Sequence, residues 1–365
     1  MTSHENMLYY SIVGVFESLL KLAVAFICVK TSSDKLVVYG ILMALIPLIT
    51  LSIMKFYCHH KYSECVICPK EYWDRVLVKN LGSFFGWNFL TAISSLFTFQ
   101  GIGLVLNHFF GTLLNAAQGI ANQVNSYMST FSSTMLRALN PVITKSAGAK
   151  DIESMNKATM AGCKYSTLLI MFFAIPCMIE IKYVLSIWLN EVPEWAEIFC
   201  VMQLAQTIII QMAGSASTAI YAEGNISYYA ICKSVMNIMP LFIVAFCFAA
   251  GGSPVWLYIP MIAIWAVGGN LVIIYFARKN FNMSTIQYFK DVVFPIVVTI
   301  IAMLSVGYSV HSVMGEGFLR LIAVAVFTAV SLCICTVAFA SMNERMIIKQ
   351  LVINLLGKTF HKNKS

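Results

Sequence analysis

The sequence is poor in charged residues, which make up only 11% of the chain. A typical soluble domain has about a quarter of its residues charged. In contrast, 59% of the residues are hydrophobic, and the mean hydropathy is +0.79. A chain of this composition lacks the polar surface that a water-soluble fold requires, so we expect it to lie in a membrane.

The sequence also lacks the common motifs of catalysis and cofactor binding. It has no phosphate-binding loop, which excludes ATP hydrolysis by that route, and it has no nucleophile elbow. Cys58, Cys65 and Cys68 share a polar segment with His59 and His60, but their spacing matches no standard zinc finger. We therefore expect no enzyme activity, no cofactor and no resident metal.

What the chain does have is a series of apolar stretches, each long enough to cross the roughly 30 Å hydrocarbon core of a bilayer as a helix. They predict an all-α integral membrane protein with about ten transmembrane helices. The predicted spans are 8–29, 36–55, 83–106, 112–136, 165–189, 197–221, 229–250, 254–277, 289–311 and 318–341.

The basic residues are distributed unevenly over the connections between these spans. If the N-terminus is placed inside, eighteen Lys and Arg residues fall on the cytoplasmic side and four on the opposite side. Cytoplasmic loops of membrane proteins carry an excess of Lys and Arg. The sequence therefore predicts a multi-pass protein with both termini in the cytoplasm, and its basic charge requires no nucleic acid.

Polar side chains form a stripe along one side of the fourth predicted helix, 112–136. At 100° per residue its members fall within an arc of about 100°. Such a stripe favours a water-filled cavity, although amides can also join neighbouring helices. The stripe consists of Asn115, Gln118, Asn122, Asn125, Ser129 and Ser132; the third helix carries Asn88, Thr91, Ser95 and Thr98, and the sixth carries Gln203, Gln206, Thr207 and Gln211.

Two pairs of charged residues are further candidates for function. Glu17 and Lys21 are four residues apart in the first predicted span, as in an intramembrane ion pair that is either structural or coupled to an ion. Arg137 and Lys145 flank Pro141 near the inner end of the fourth helix, where they act either as topology anchors or as contacts for a phosphate group.

Three segments resemble the polysaccharide flippases of the multidrug/oligosaccharidyl-lipid/polysaccharide exporter superfamily, especially the Wzx type. They are Leu106–Asp151, Ile179–Leu204 and Ile220–Leu241. The first contains the core NAA-x-GIA-x-Q-VN and the element P-x-I-T-K. The resemblance covers nearly the whole chain.

The resemblance implies a fold of fourteen helices, with two six-helix lobes around a central cavity and a terminal helix pair. It therefore implies that about four N-terminal helices are missing from this chain. On this basis the domains are the last two helices of the first lobe at 1–55, a cytoplasmic interlobe linker at 56–82, the second lobe at 83–279, the terminal pair at 280–342 and a basic amphipathic tail at 343–365.

The function implied by the resemblance is to move a polyprenyl-diphosphate-linked oligosaccharide across the bacterial cytoplasmic membrane for lipopolysaccharide, capsule or exopolysaccharide synthesis. Its partners would be this substrate, membrane lipid and the proteins of polysaccharide polymerisation and assembly. The alternatives are a cation-coupled drug or metabolite exporter, a membrane-embedded glycosyltransferase or polymerase, and a non-transporting remnant or scaffold. The cavity residues on this hypothesis are Asn88, Asn115, Gln118, Asn122, Asn125 and Gln203, with Arg137 and Lys145 as candidate phosphate contacts.

Overall fold

A computed structural model describes residues 7–30, 34–62, 65 and 74–340 of the chain. The predicted amphipathic tail at 343–365 and Cys68 lie outside these residues. Within them every regular element is helical, which confirms the all-α fold. The helices are α1 Met7–Lys30, α2 Lys35–Lys61, α3 Arg75–Phe110, α4 Thr112–Gly148, α5 Ile152–Ile179, α6 Ile181–Trp188, α7 Ala196–Gln211, α8 Gly214–Glu223, α9 Ser227–Ala249, α10 Pro254–Phe281, α11 Thr285–Val313 and α12 Phe318–Ala338.

Eight of these helices are long and apolar enough to cross a membrane, and a ninth span results if the bent pair α7 and α8 is counted as one. These helices indicate a multi-pass membrane protein. The nine correspond in position to nine of the ten predicted spans. The tenth predicted span, 112–136, lies in α4, a continuous helix of 37 residues. This helix is too polar to be counted among the apolar spans.

Contacts along the chain divide it into two units, of which the first ends at Val78. This boundary falls within the predicted connection 56–82, although α2 and α3 continue as helices into both ends of that segment. In the first unit α1 and α2 pack together as a hairpin. Tyr9 near the start of α1 stacks on Tyr57 near the end of α2, with ring centroids 3.7 Å apart, so the two helices run antiparallel.

The second unit, from Lys79 onward, is built around α5. This helix packs against α4, α7, α8, α11 and α12. In the apolar stretch of α5, 72% of the residues are buried, whereas in that of α12 only 17% are buried. Helix α5 is therefore the core of the bundle, and the outer helices expose apolar side chains as expected for contact with lipid.

The ends of the helices follow from local sequence. Asp151 caps α5 by accepting a hydrogen bond from the backbone N–H of Ser154, at 3.1 Å. Ser284 caps α11 in the same way. Gly111 separates α3 from α4 with φ of 79°, in the left-handed region that a residue without Cβ adopts readily.

The pair α7 and α8 is bent by 43° at residues 212–213. A break in a helix frees backbone carbonyl groups, and these are costly to leave unpaired inside a membrane. Here the carbonyl of Ile209 accepts a hydrogen bond from Asn270 Nδ2 at 2.5 Å, and the carbonyl of Met212 accepts one from the Tyr288 hydroxyl at 2.8 Å. Side chains from α10 and α11 thus stabilise the bend.

Candidate functional site

A cavity of about 960 Å³ lies among α3, α4, α7 and α10 in the second unit. Its wall combines many amide and hydroxyl groups with a few apolar side chains. The lining consists of Phe99, Gln100, Ile102, Gly103, Leu104 and Asn107 from α3; Asn115, Gln118, Gly119, Asn122, Asn125, Ser126, Ser129, Thr130 and Ser133 from α4; Gln203, Gln206, Thr207, Ile210 and Gln211 from α7; and Met261 and Trp265 from α10.

The polar stripe of α4 supplies the largest share of this lining. Five of the six predicted members line the cavity, and Ser132 is instead buried away from it with no hydrogen-bond partner for Oγ in the described part of the chain. Ser132 is the last position of the stripe, at the edge of its arc. At 100° per residue Ser133 lies at the same angle as Asn115, whereas Ser132 lies about 100° away.

Gln118 is held in place by the wall of the cavity. The side chain is 8% exposed. Its Oε1 accepts a hydrogen bond from the Tyr258 hydroxyl at 2.7 Å, and its Nε2 lies 3.4 Å from Asn122 Oδ1. Tyr258, from α10, is itself buried. The two amides are therefore presented to the cavity in fixed positions.

A second set of contacts joins α4 to α7 across the cavity wall. The Thr207 hydroxyl lies 2.6 Å from Asn125 Oδ1 and 2.9 Å from the carbonyl oxygen of Gln203, and it has one hydrogen to donate. Gln211 Nε2 donates to Ser166 Oγ of α5 at 2.9 Å. Both proposed roles of the stripe, lining a cavity and joining helices, thus occur on the same face.

Gln206 is the most deeply buried amide of the lining. The side chain is 2% exposed, and its Oε1 has no hydrogen-bond partner among the described residues. A buried acceptor without a partner costs about 1–3 kcal/mol. The oxygen is enclosed by protein, so it is not exposed to a ligand in the cavity.

Asn88 is not among the residues that line this cavity. Its Nδ2 donates to the carbonyl of Phe84 one turn earlier, at 2.9 Å. Two other predicted residues of α3, Ser95 and Thr98, contact α9 instead. Asn237 Nδ2 donates to Ser95 Oγ at 2.8 Å, and the Thr98 hydroxyl donates to the Asn237 carbonyl at 2.7 Å. In α3, small polar residues join two helices.

The charged candidates occupy different places. Glu17 and Lys21 form an ion pair in α1, with 2.7 Å between Oε1 and Nζ, and their side chains are 35% and 50% exposed. Arg137 and Lys145 are both exposed on α4. Neither Arg137 nor Lys145 lines the cavity.

A buried cluster of charges that the sequence did not predict lies at the junction of α5 and α6. The Glu180 side chain is fully buried, with Oε1 2.8 Å from His311 Nδ1 and Oε2 2.8 Å from Arg320 Nη2. Arg320 Nε also donates to Oε2, at 3.1 Å. His311 belongs to α11 and Arg320 to α12, so one carboxylate fastens both helices to the core. A cavity of about 470 Å³ adjoins the cluster.

Two further observations limit the chemistry of the site. None of the described residues that line the 960 Å³ cavity carries a charge. In residues 7–30, 34–62, 65 and 74–340, no group of three or more His, Cys, Asp or Glu side chains could hold a metal ion. The site therefore offers hydrogen bonds and apolar contacts.

In comparisons with protein-family models, with curated proteins and with solved structures, nothing matches this chain.

Proposed function

We propose that this protein is a flippase, a transporter that carries the oligosaccharide of a polyprenyl-diphosphate-linked substrate across the membrane through the cavity between α4 and α7. The observation that carries this proposal is the uncharged polar lining, because its extent and its chemistry both suit a sugar.

The lining extends far along α4. From Asn115 to Ser133 it covers about 27 Å of helix axis at 1.5 Å per residue, which approaches the roughly 30 Å of a hydrocarbon core. A site that only binds a ligand needs no polar face of this length. A path for a polar group through the bilayer does.

The chemistry of the lining favours a neutral ligand rich in hydroxyl groups. Amides and hydroxyls both donate and accept hydrogen bonds, as sugar hydroxyls do. Asn115 and Gln203, which are not buried, supply such groups, and Trp265 and Phe99 supply apolar surface, as in ligand pockets generally. The volume is at the upper end of the range for such pockets.

The lining also argues against one of the alternatives, the cation-coupled exporter. A cation-coupled exporter of drugs requires an acidic residue that faces its substrate or coupling ion, and no such residue lines this cavity in the described part of the chain. The resemblance of Leu106–Asp151 to polysaccharide flippases supports the same conclusion. Arg137 and Lys145, exposed at the end of α4, would then meet the diphosphate.

Cysteine accessibility tests whether the cavity is filled with water. Asn122→Cys and Ser129→Cys in membrane vesicles should react with a water-soluble thiol reagent beyond the background of the native cysteines. Tyr127→Cys, at a position 60% exposed on the same helix but outside the lining, is the matched control and should not react. Equal labelling of all three variants, or of none, would contradict a water-filled cavity.

Transport itself is tested in proteoliposomes with a fluorescent polyprenyl-diphosphate-linked oligosaccharide. Gln203→Leu, at a half-buried position of the lining, should slow its translocation about fivefold, because a net hydrogen bond to a neutral group is worth about 1 kcal/mol. Gln123→Leu, an exposed position of α4 outside the lining, should leave the rate unchanged. If the unmodified protein moves no labelled lipid, the flippase proposal fails.

A further inference from the structure

A third cavity, of about 750 Å³, lies at the end of the bundle where α5 and α11 begin and α12 ends. By the distribution of basic residues this end is predicted to face the cytoplasm. Side chains of all three helices line it: Lys157, Met160, Ala161 and Lys164 from α5; Gln287, Lys290, Asp291, Val292, Phe294 and Pro295 from α11; and Ala338, Phe339 and Ala340 at the end of α12.

The charged groups of this lining are mainly positive. Three are lysines, and Asp291 is the one carboxylate among the described lining residues. Lys290 and Asp291 are exposed. Lys157 is exposed as well and forms an ion pair with Glu153, with 2.6 Å between Nζ and Oε1. A cavity with this balance of charges favours an anion.

Lys164 distinguishes the cavity from an ordinary basic loop at a membrane surface. It is only 6% exposed, whereas lysines that anchor helix ends extend toward water. Its Nζ donates to the carbonyl oxygen of Phe339 at 3.3 Å and lies 5.5 Å from the centroid of the Tyr165 ring. These contacts fix one ammonium group within the lining before any ligand arrives.

The rest of the lining is apolar. Met160, Val292, Phe294, Pro295 and Phe339 stand beside the lysines. A free anion makes no use of such a surface, whereas the hydrocarbon next to a charged headgroup buries apolar area against it. Cationic groups beside apolar walls, at the level of a leaflet, match an amphiphile that carries a phosphate.

We infer that this cavity is a binding site for the phosphate-bearing headgroup of an anionic membrane lipid of the inner leaflet. Lys164 and Lys290 contact the phosphate, and Phe294 and Pro295 contact the adjoining chain. Because α5 belongs to the predicted second lobe and α11 and α12 to the predicted terminal pair, the bound lipid joins these two parts. The site does not depend on the proposed transport of oligosaccharide.

Native mass spectrometry of the full chain in a nonionic detergent tests the site, with dioctanoyl phosphatidylglycerol as the probe. Lys290→Gln should weaken binding about fivefold, because one Lys near an anionic lipid surface contributes roughly that factor. Asp291→Asn should strengthen binding, since it removes the opposing carboxylate. Both positions are exposed, so neither substitution threatens the fold. Lys279→Gln is the matched control, an exposed lysine at the end of α10 outside this lining.

The outcomes separate the explanations. Binding that falls with Lys290→Gln, rises with Asp291→Asn and is unchanged with Lys279→Gln supports the site. Equal weakening by both lysine substitutions would show diffuse surface attraction and overturn it. Inorganic phosphate and dioctanoyl phosphatidylcholine serve as comparison ligands. If inorganic phosphate binds as well as phosphatidylglycerol, or if phosphatidylcholine does, the assignment to an anionic lipid is wrong.

Discussion

Replacing Glu180 by Gln should destabilise the protein more than any substitution of an exposed charge. The carboxylate is fully buried, and its two oxygens hold His311 and Arg320. Removing the negative charge leaves the guanidinium of Arg320, 10% exposed, without its counter-ion. Breaking a buried ion pair from one side costs about 3–5 kcal/mol.

The lower end of that range is the better expectation here. The adjoining cavity of about 470 Å³ can admit water to the stranded Arg320, and Gln retains one oxygen that can accept a hydrogen bond. We therefore expect a loss of about 3 kcal/mol in the free energy of unfolding. Titration with sodium dodecyl sulfate in mixed micelles, followed by tryptophan fluorescence, measures this loss.

A double substitution separates the ion pair from simple packing. Glu180→Gln combined with Arg320→Gln removes both charges, so it should cost less than the sum of the two single substitutions. Glu153→Gln is the control, because its partner Lys157 is exposed and the pair contributes little to stability. The reasoning is refuted if Glu180→Gln is no more harmful than Glu153→Gln, or if the two single losses simply add.

Two further substitutions test the packing and the capping of α5. Gly162→Ala should cost about 1–3 kcal/mol of unfolding free energy in the same titration, because a Cβ there would clash with Ser215 Oγ. Gly148→Ala meets nothing within 4 Å and should be neutral. Hydrogen bonding by Ser154, through its side chain and its backbone N–H, lowers the pKa of Asp151 from 3.8. The stability advantage of the native chain over Asp151→Ala is therefore complete above pH 3.8 and should shrink as the pH falls through the lower folded-state pKa, as the difference between their thermal midpoints will show.

The polar face of α4 could be predicted because helical phase alone determines it. Once the segment 112–136 is taken as a helix, the positions of Asn115, Gln118, Asn122 and Asn125 on one side follow from the sequence. What phase could not give is the neighbour that each face meets. At the edge of the arc, packing against the other helices decides that Ser133 lines the cavity and Ser132 does not.

Helical phase also could not distinguish a polar face that lines a cavity from a polar face that contacts another helix. Asn88 and Thr98 of α3 have the periodicity of a polar face, as α4 does. In the structure this face of α3 contacts Asn237 of α9 or its own backbone. A polar stripe in a membrane helix thus predicts that partners exist, and the three-dimensional arrangement decides whether they are water, ligand or another helix.

The Glu180 cluster escaped prediction because its members are far apart in sequence. Glu180 and His311 are 131 residues apart, and Glu180 and Arg320 are 140 apart. Each residue by itself suits the end of a membrane span. The available signal was an acid at the end of the apolar run of α5 and a lone arginine at the start of that of α12, both predicted on the same side of the membrane.

The bend between α7 and α8 has a mechanical consequence. The carbonyls of Ile209 and Met212 accept hydrogen bonds from the side chains of Asn270 and Tyr288. Changing the angle between α7 and α8 would strain these bonds, and it would also disturb the contacts of Thr207 and Gln211 that hold α7 to α4 and α5. The bend is therefore fixed by side chains of four helices, α4, α5, α10 and α11.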